Sequence, residues 1–188
     1  MNALTLLKQD HQNVEALFKR FEQLGEGGEP AEKKQIVDKV IEHLSVHAVI
    51  EEQLFYPAVR EQAPDATFTV LEGLEEHHVV KWVLAELEKM APTDERYEAK
   101  FTVLMENVRH HVEEEETDIF PKLREAMTVE QLNTLGESME KAKETAPTRP
   151  HPRTPDTPPL NIILGAPMAV LDRAIKTGRE TVEKVLNR

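Results

Sequence analysis

His47-Ala-Val-Ile-Glu51-Glu52-Gln-Leu-Phe55-Tyr56-Pro57 occurs a second time in this chain, as His111-Val-Glu-Glu-Glu115-Glu116-Thr-Asp-Ile119-Phe120-Pro121. The His, both Glu, an apolar–aromatic pair and the closing Pro recur in register. On a helix, residues four apart lie one above the other on one face, so each copy presents an imidazole beside a carboxylate. One His-x-x-x-Glu is an ordinary surface pair of a helix. Two with matched flanks mark a duplication.

Upstream of each copy stands another matched stretch. Asp10-His11-Gln-Asn-Val14-Glu-Ala-Leu17-Phe18-Lys-Arg-Phe21 aligns with Glu76-His77-His-Val-Val80-Lys-Trp-Val83-Leu84-Ala-Glu-Leu87. An acid precedes each His, and apolar residues follow at helical spacing. The copies are offset by 66 residues here and by 64 in the His-Glu motif. The chain therefore reads as two tandem helix pairs, all-α, in an antiparallel up-down four-helix bundle. Each helix contributes one His, and the second and fourth each add a Glu. Inward-facing His and carboxylate residues are how such bundles build metal sites.

The first helix is expected from about residue 3 to Leu24, ending at the glycine loop. The second starts near Pro30, where Pro suits a first turn, and is bent or ended by Pro57. Asp65 is a candidate cap for the third, which runs through His77 to Met90. The fourth carries Phe101, Leu104, Val108, His111, Glu115 and Ile119, with Pro121 placed as Pro57 is. Thr128-Val-Glu-Gln131 has capping-box spacing and opens a short fifth helix, Val129 to about Lys143. The bundle so defined occupies residues 1–146. Six of the thirteen residues from 147 to 159 are Pro, an extended linker. Residues 160–188 form a C-terminal amphipathic segment that packs on the bundle or contacts a protein partner.

The 188 residues suit one domain with an appendage. There is no Cys, which removes disulfides, zinc–thiolate sites, Fe–S clusters and thiol chemistry. No apolar run approaches the ~20 residues of a transmembrane helix, and the amino terminus does not read as a signal peptide. A cytoplasmic protein is expected. Residues 147–188 carry seven Lys/Arg against four Asp/Glu, a net of +3, which leaves −15 of the overall −12 on the rest. Such an acidic body repels phosphates and argues against nucleic-acid binding.

Four His at duplicated positions, two with a Glu one turn on, are costly to bury without a partner. A pair of metal ions satisfies all six. Imidazole and carboxylate without sulfur suit iron, manganese or zinc. Two Glu can each bridge both ions while two His bind each ion terminally, which leaves positions open for O2, peroxide or NO.

These residues resemble the hemerythrin family, in particular the bacterial hemerythrin-like (HHE cation-binding) proteins, over residues 1 to about 145. The resemblance implies a non-haem di-iron centre, oxo- or hydroxo-bridged, inside a four-helix bundle. It makes His11, His47, His77 and His111 terminal ligands and Glu51 and Glu115 bridges, with iron preferred over manganese or zinc. Oxygen-carrying hemerythrins add a fifth His one turn before the helix-C His. Here that position is Gly73, which leaves room for water, for Glu72 or Tyr56, or for a substrate. Tyr56 is the one further candidate for a catalytic role, as ligand or proton donor, beside a plain packing role. His78 and His110 point about 100° away from the ligands beside them. His43 sits one turn before His47, and His151 falls in the linker, where solvent is expected around it. The implied activity is a catalase-like or NO-reducing oxidoreductase acting on a small diatomic or peroxide ligand. The other reading is a sensing or binding module for O2, NO or iron, without turnover.

Overall fold

The computed structural model describes residues 1–155, 168–170 and 172, so most of the expected C-terminal segment and the end of the linker lie outside the described residues. Helix α1 spans Ala3–Leu24, α2 Pro30–Ile50, α3 Tyr56–Gln62, α4 Thr67–Lys89, α5 Tyr97–Glu114, α6 Phe120–Ala126 and α7 Val129–Thr145. The described residues hold no strand, and none of their helices is long and apolar enough to cross a membrane. Helix α1 packs on α2, α4 on α5, and α2 on α4, while α7 lies across α1. The all-helical bundle expected from the repeat is what forms.

Pro57 and Pro121 neither end nor simply bend their helices. Glu51–Phe55 and Glu115–Ile119 are π-helical turns, closed by Tyr56 N–H on Glu51 O and Phe120 N–H on Glu115 O. A π turn admits one extra residue. Each Pro then falls in the first turn of α3 or α6, directly after the π turn. Asp65 does not cap α4. It sits inside the 3-10 turn Pro64–Ala66, and Ala66 precedes the helix without a side-chain bond. The capping box of α7 forms as expected, with Thr128 and Gln131 satisfying each other's backbone N–H.

The interior is layered. One apolar core joins Leu7, Ile50, Phe55, Val59, Val70, Phe120 and Leu123 to Leu132 and Met139 of α7. A second joins Val14, Phe18, Val40, Leu84, Phe101 and Leu104 nearer the long helix connections. Between them, on the same inward stripe of each long helix, lie the buried polar residues His11, His47, Glu51, His77, His111 and Glu115. Helix α7 approaches α1 closely because Gly136 has no side chain. A Cβ there would stand 2.3 Å from Met1 O and 2.7 Å from Ala3 N, both backbone atoms. Gly136→Ala is therefore expected to lower stability by about 1–3 kcal/mol, read as a lower denaturant midpoint with an unchanged slope.

Candidate metal centre

The structure brings together all six residues singled out by the repeat. Their ring nitrogens and carboxylate oxygens fall into two groups that share Glu51. One is His11, His47, Glu51 and Glu115, and the other is Glu51, His77 and His111. Glu51 divides its oxygens, Oε1 lying 3.1 Å from His47 Nε2 and Oε2 3.3 Å from His77 Nε2. Glu115 does the same, with Oε2 3.3 Å from His11 Nε2 and Oε1 3.8 Å from His111 Nε2. Each carboxylate thus faces both halves.

Three of the four imidazoles are held from behind by a hydrogen bond on Nδ1. His11 Nδ1 donates to Glu116 Oε1 at 2.9 Å, His77 Nδ1 to Glu52 Oε1 at 3.0 Å, and His111 Nδ1 to Glu76 Oε2 at 2.7 Å. His47 Nδ1 makes a longer approach, 3.5 Å, to Asp10 Oδ2. A carboxylate can only accept, so the proton sits on Nδ1 and the Nε2 lone pair turns inward. Supports of this kind fix the tautomer of metal-binding histidines. They also form a closed circuit: α1 backs α2, the turn after α2 backs α4, α4 backs α5, and the turn after α5 backs α1. The acid preceding each of His11 and His77 serves the next helix rather than its neighbour in sequence. Sequence reasoning noticed these acids and the second Glu of each motif but gave them no role. The signal was there, since all four recur in the repeat.

Inside this ring of supports, lone pairs meet lone pairs. Among the described residues, His11 Nε2, both Glu51 oxygens and Glu115 Oε2 are buried without a hydrogen-bond partner. Leaving such groups unmade costs about 1–3 kcal/mol each. A shared set of imidazole and carboxylate acceptors, preorganised and unsatisfied, fits a pair of first-row cations. With protons alone to serve, the same cluster must hold charge. Burial disfavours the cationic form of His47, yet Glu51 and Asp10 outweigh it and lift its pKa to about 10. Burial likewise opposes His77, and Glu51 and Glu52 raise it to about 9. Glu51 is held well below the usual carboxylate range by His47 and His77 against its own burial.

The two halves differ by one hydroxyl. Tyr56 OH donates to Glu115 Oε1 at 3.0 Å and lies 3.5 and 3.4 Å from Nε2 of His77 and His111. Burial, with Glu115 and Glu51 nearby, pushes its pKa well above that of a free phenol. A Cβ on Gly73 would stand 3.0 Å from Tyr56 OH and 3.3 Å from His111 Cε1. The space left by Gly73 is thus taken by Tyr56, while Glu72 is exposed. In the other half the matching residue is Phe120, whose ring stacks on His11 with centroids 6.0 Å apart. Lysines close the outer side of three supports: Lys143 on Asp10 at 2.5 Å, Lys8 on Glu116 at 3.3 Å and Lys81 on Glu52 at 2.7 Å.

Access is provided between α1 and α5. A cavity of about 580 Å³ reaches all four imidazoles along apolar walls that include Val14, Phe18, Val80 and Val108, and exposed Gln12 and Lys19 line it too. Arg109 spans this opening, donating to Glu15 at 2.9 Å and Glu22 at 2.8 Å. The remaining histidines stay out of the centre. His43 is exposed, His78 accepts from Trp82 Nε1 at 3.2 Å, and His110 faces outward. His151 is not simply solvated, since its Nε2 lies 3.1 Å from Asp172 Oδ2.

Comparison with known proteins agrees with this geometry. Residues 2–123 match the family model described as hemerythrin HHE cation binding domain. The chain is 28% identical to a hemerythrin-like protein of Schizosaccharomyces pombe over 75% of its own length and 68% of the relative's. It is 24% identical to a DNA nickase of a Nostoc species over 76% of its own length, but spans only 39% of that protein. Among solved structures, a hemerythrin HHE cation binding domain-containing protein from Mycobacterium kansasii superposes with a TM-score of 0.64 at 28% identity. That match covers 77% of this chain and 86% of the other.

Metal loading should displace protons. With pKa values of about 10 and 9, His47 and His77 are both protonated at pH 7 in protein stripped of metal. Calorimetry in buffers of different ionisation enthalpy should find more than one proton released per chain, and release should shrink above pH 10. Stability of the stripped protein follows the same sign. The contribution of these raised groups is complete below the ordinary histidine pKa of about 6.5 and is lost as pH rises through 9 to 10.

Proposed function

This chain belongs to the hemerythrin HHE cation-binding domain family, and on that premise we propose that it holds two iron ions and processes a small oxidant, hydrogen peroxide first and nitric oxide as the related case. His11 and His47 would hold one ion, His77 and His111 the other, and Glu51 and Glu115 would bridge them. Iron bound there supplies a reversible change of oxidation state and an open position for a small ligand.

The observation that carries this reading is the difference between Tyr56 and Phe120. The His77 and His111 half has a phenol oxygen within 3.5 Å of both Nε2 atoms. The His11 and His47 half has an aromatic ring against His11 and no hydroxyl at the matching position. That half has no hydroxyl to occupy a free position, and the cavity between α1 and α5 reaches both halves. Tyr56 keeps its proton, because ionisation beside Glu115 and Glu51 is disfavoured. It can lend that proton to a leaving hydroxide and recover it from the incoming peroxide. Glu52, Glu76, Asp10 and Glu116 hold the imidazoles still meanwhile, so the geometry is prepared before the ligand arrives. Disproportionation of two peroxides to water and O2 balances its own electrons, and needs no outside reductant.

A sensing module is the second reading, and the strap after α7 favours it. Thr148 and Arg149 donate their N–H groups to Asp172 Oδ2 at 3.1 Å, and Arg149 pairs with Glu88 at 3.0 Å. Pro147, Arg149 and His151 border the same crevice as Glu52 and Lys81, directly behind His77. Movement at the centre therefore has a short route to the tail.

Iron-loaded full-length chain should contain near two irons and evolve O2 from peroxide faster than free iron does. His77→Ala should abolish this. Tyr56→Phe should retain metal but lose turnover roughly tenfold or more. Turnover no better than that of free iron refutes the enzyme. If removal of residues 147–188 then changes a partner interaction, the sensing reading takes its place.

A further inference from the structure

Three of the four carboxylates behind the histidines have a lysine on their outer side, and Glu76 does not follow them. Its ion-pair contacts among the described residues are with imidazoles. Oε2 receives His111 Nδ1 at 2.7 Å, and Oε1 lies 3.9 Å from His110 Nε2. His110 Nε2 is in turn 3.5 Å from Glu114 Oε1.

Helix α5 and the π turn after it carry two overlapping His-x-x-x-Glu pairs, one residue apart. His111 and Glu115 face inward, and His110 and Glu114 lie about 100° around the helix. The outer pair is not a by-product of the duplication, because Val46 and Ile50 occupy the matching positions in the first half.

We propose that Glu76, His110 and Glu114 form an exchangeable site for one divalent first-row cation, distinct from the buried pair and resting on the outer side of His111. One donor atom from each residue lies within 4.8 Å of the others. The contacts of 3.5 and 3.9 Å from His110 suit ligand atoms that each stand about 2.0–2.2 Å from a shared ion. Imidazole with two carboxylates and no sulfur selects iron(II), manganese(II) or zinc(II). The His110 side chain is 62% exposed, so an ion can arrive from solution. Bound there, the ion takes Glu76 Oε1 while Oε2 keeps His111 in place. It supplies from solvent the positive charge that Lys8, Lys81 and Lys143 supply at the other three supports. Glu76 also lines the cavity that reaches the four imidazoles, which puts this station beside the way in.

The test counts zinc on the full chain by equilibrium dialysis at neutral pH and saturating zinc, with mass-spectrometric detection. Wild type is compared with His110→Ala, Glu114→Gln and His110→Lys, all changes at the bundle surface. Each variant should bind one zinc fewer per chain than wild type, with an unchanged thermal melt. The result is a difference, so it stands whatever number of ions the buried cluster holds. Repeating it on a His77→Ala background should preserve the difference while the total falls. Equal zinc counts in wild type and variants would overturn the proposal.

Discussion

An imidazole lone pair and a carboxylate oxygen held 3.1 to 3.8 Å apart repel each other unless positive charge stands between them. Four such encounters occur in one layer of this bundle, and the rest of the molecule is arranged to enforce them. The acids behind the rings remove the freedom to flip. Two apolar cores lie above and below this layer. Burial alone would have raised the carboxylates and lowered the imidazoles, and the opposite shifts at Glu51, His47 and His77 show that mutual attraction dominates over desolvation. What the layer demands is cation, whether delivered as protons or as metal.

The closed circuit of supports makes the four helices dependent on one another. No histidine is oriented by its own helix alone, so a shift of any rod disturbs the ring on the next. Three lysines then neutralise the outside of the circuit, one of them, Lys143, reaching from α7. This gives α7 a task beyond covering the lower core. It completes the charge balance of Asp10, and through Asp10 it steadies His47.

Much of this was legible in the letters. The duplicated His and Glu positions placed all six buried donors, and helix bounds followed from Gly25, Pro30 and the capping box at Thr128. Tyr56 was named as a residue that could fill the space at Gly73 or donate a proton, and it does stand against Gly73, but helical periodicity alone does not bring it there. Nine residues separate it from His47, which on a regular α-helix is about 180° around and therefore on the wrong face. The π turn at Glu51–Phe55 absorbs one residue and brings the phenol back toward the histidines. Periodicity assumes a constant pitch and cannot see such a slip, although Pro57 in the motif was its trace. Asp65 failed as a cap for a related reason, because a 3-10 turn took the residue that local preference assigned to the helix end. The cross-helix supports depend on rotation between rods, which spacing within one rod does not encode.

The layering has a mechanical consequence. Leu7 and Val14 stand on either side of His11, and the apolar residues around them belong to different clusters that the polar stratum keeps from touching. Side chain to side chain, the two hydrophobic ends meet through charge rather than through oil. The long helices run through both ends, so whatever fills the stratum bears on the two together.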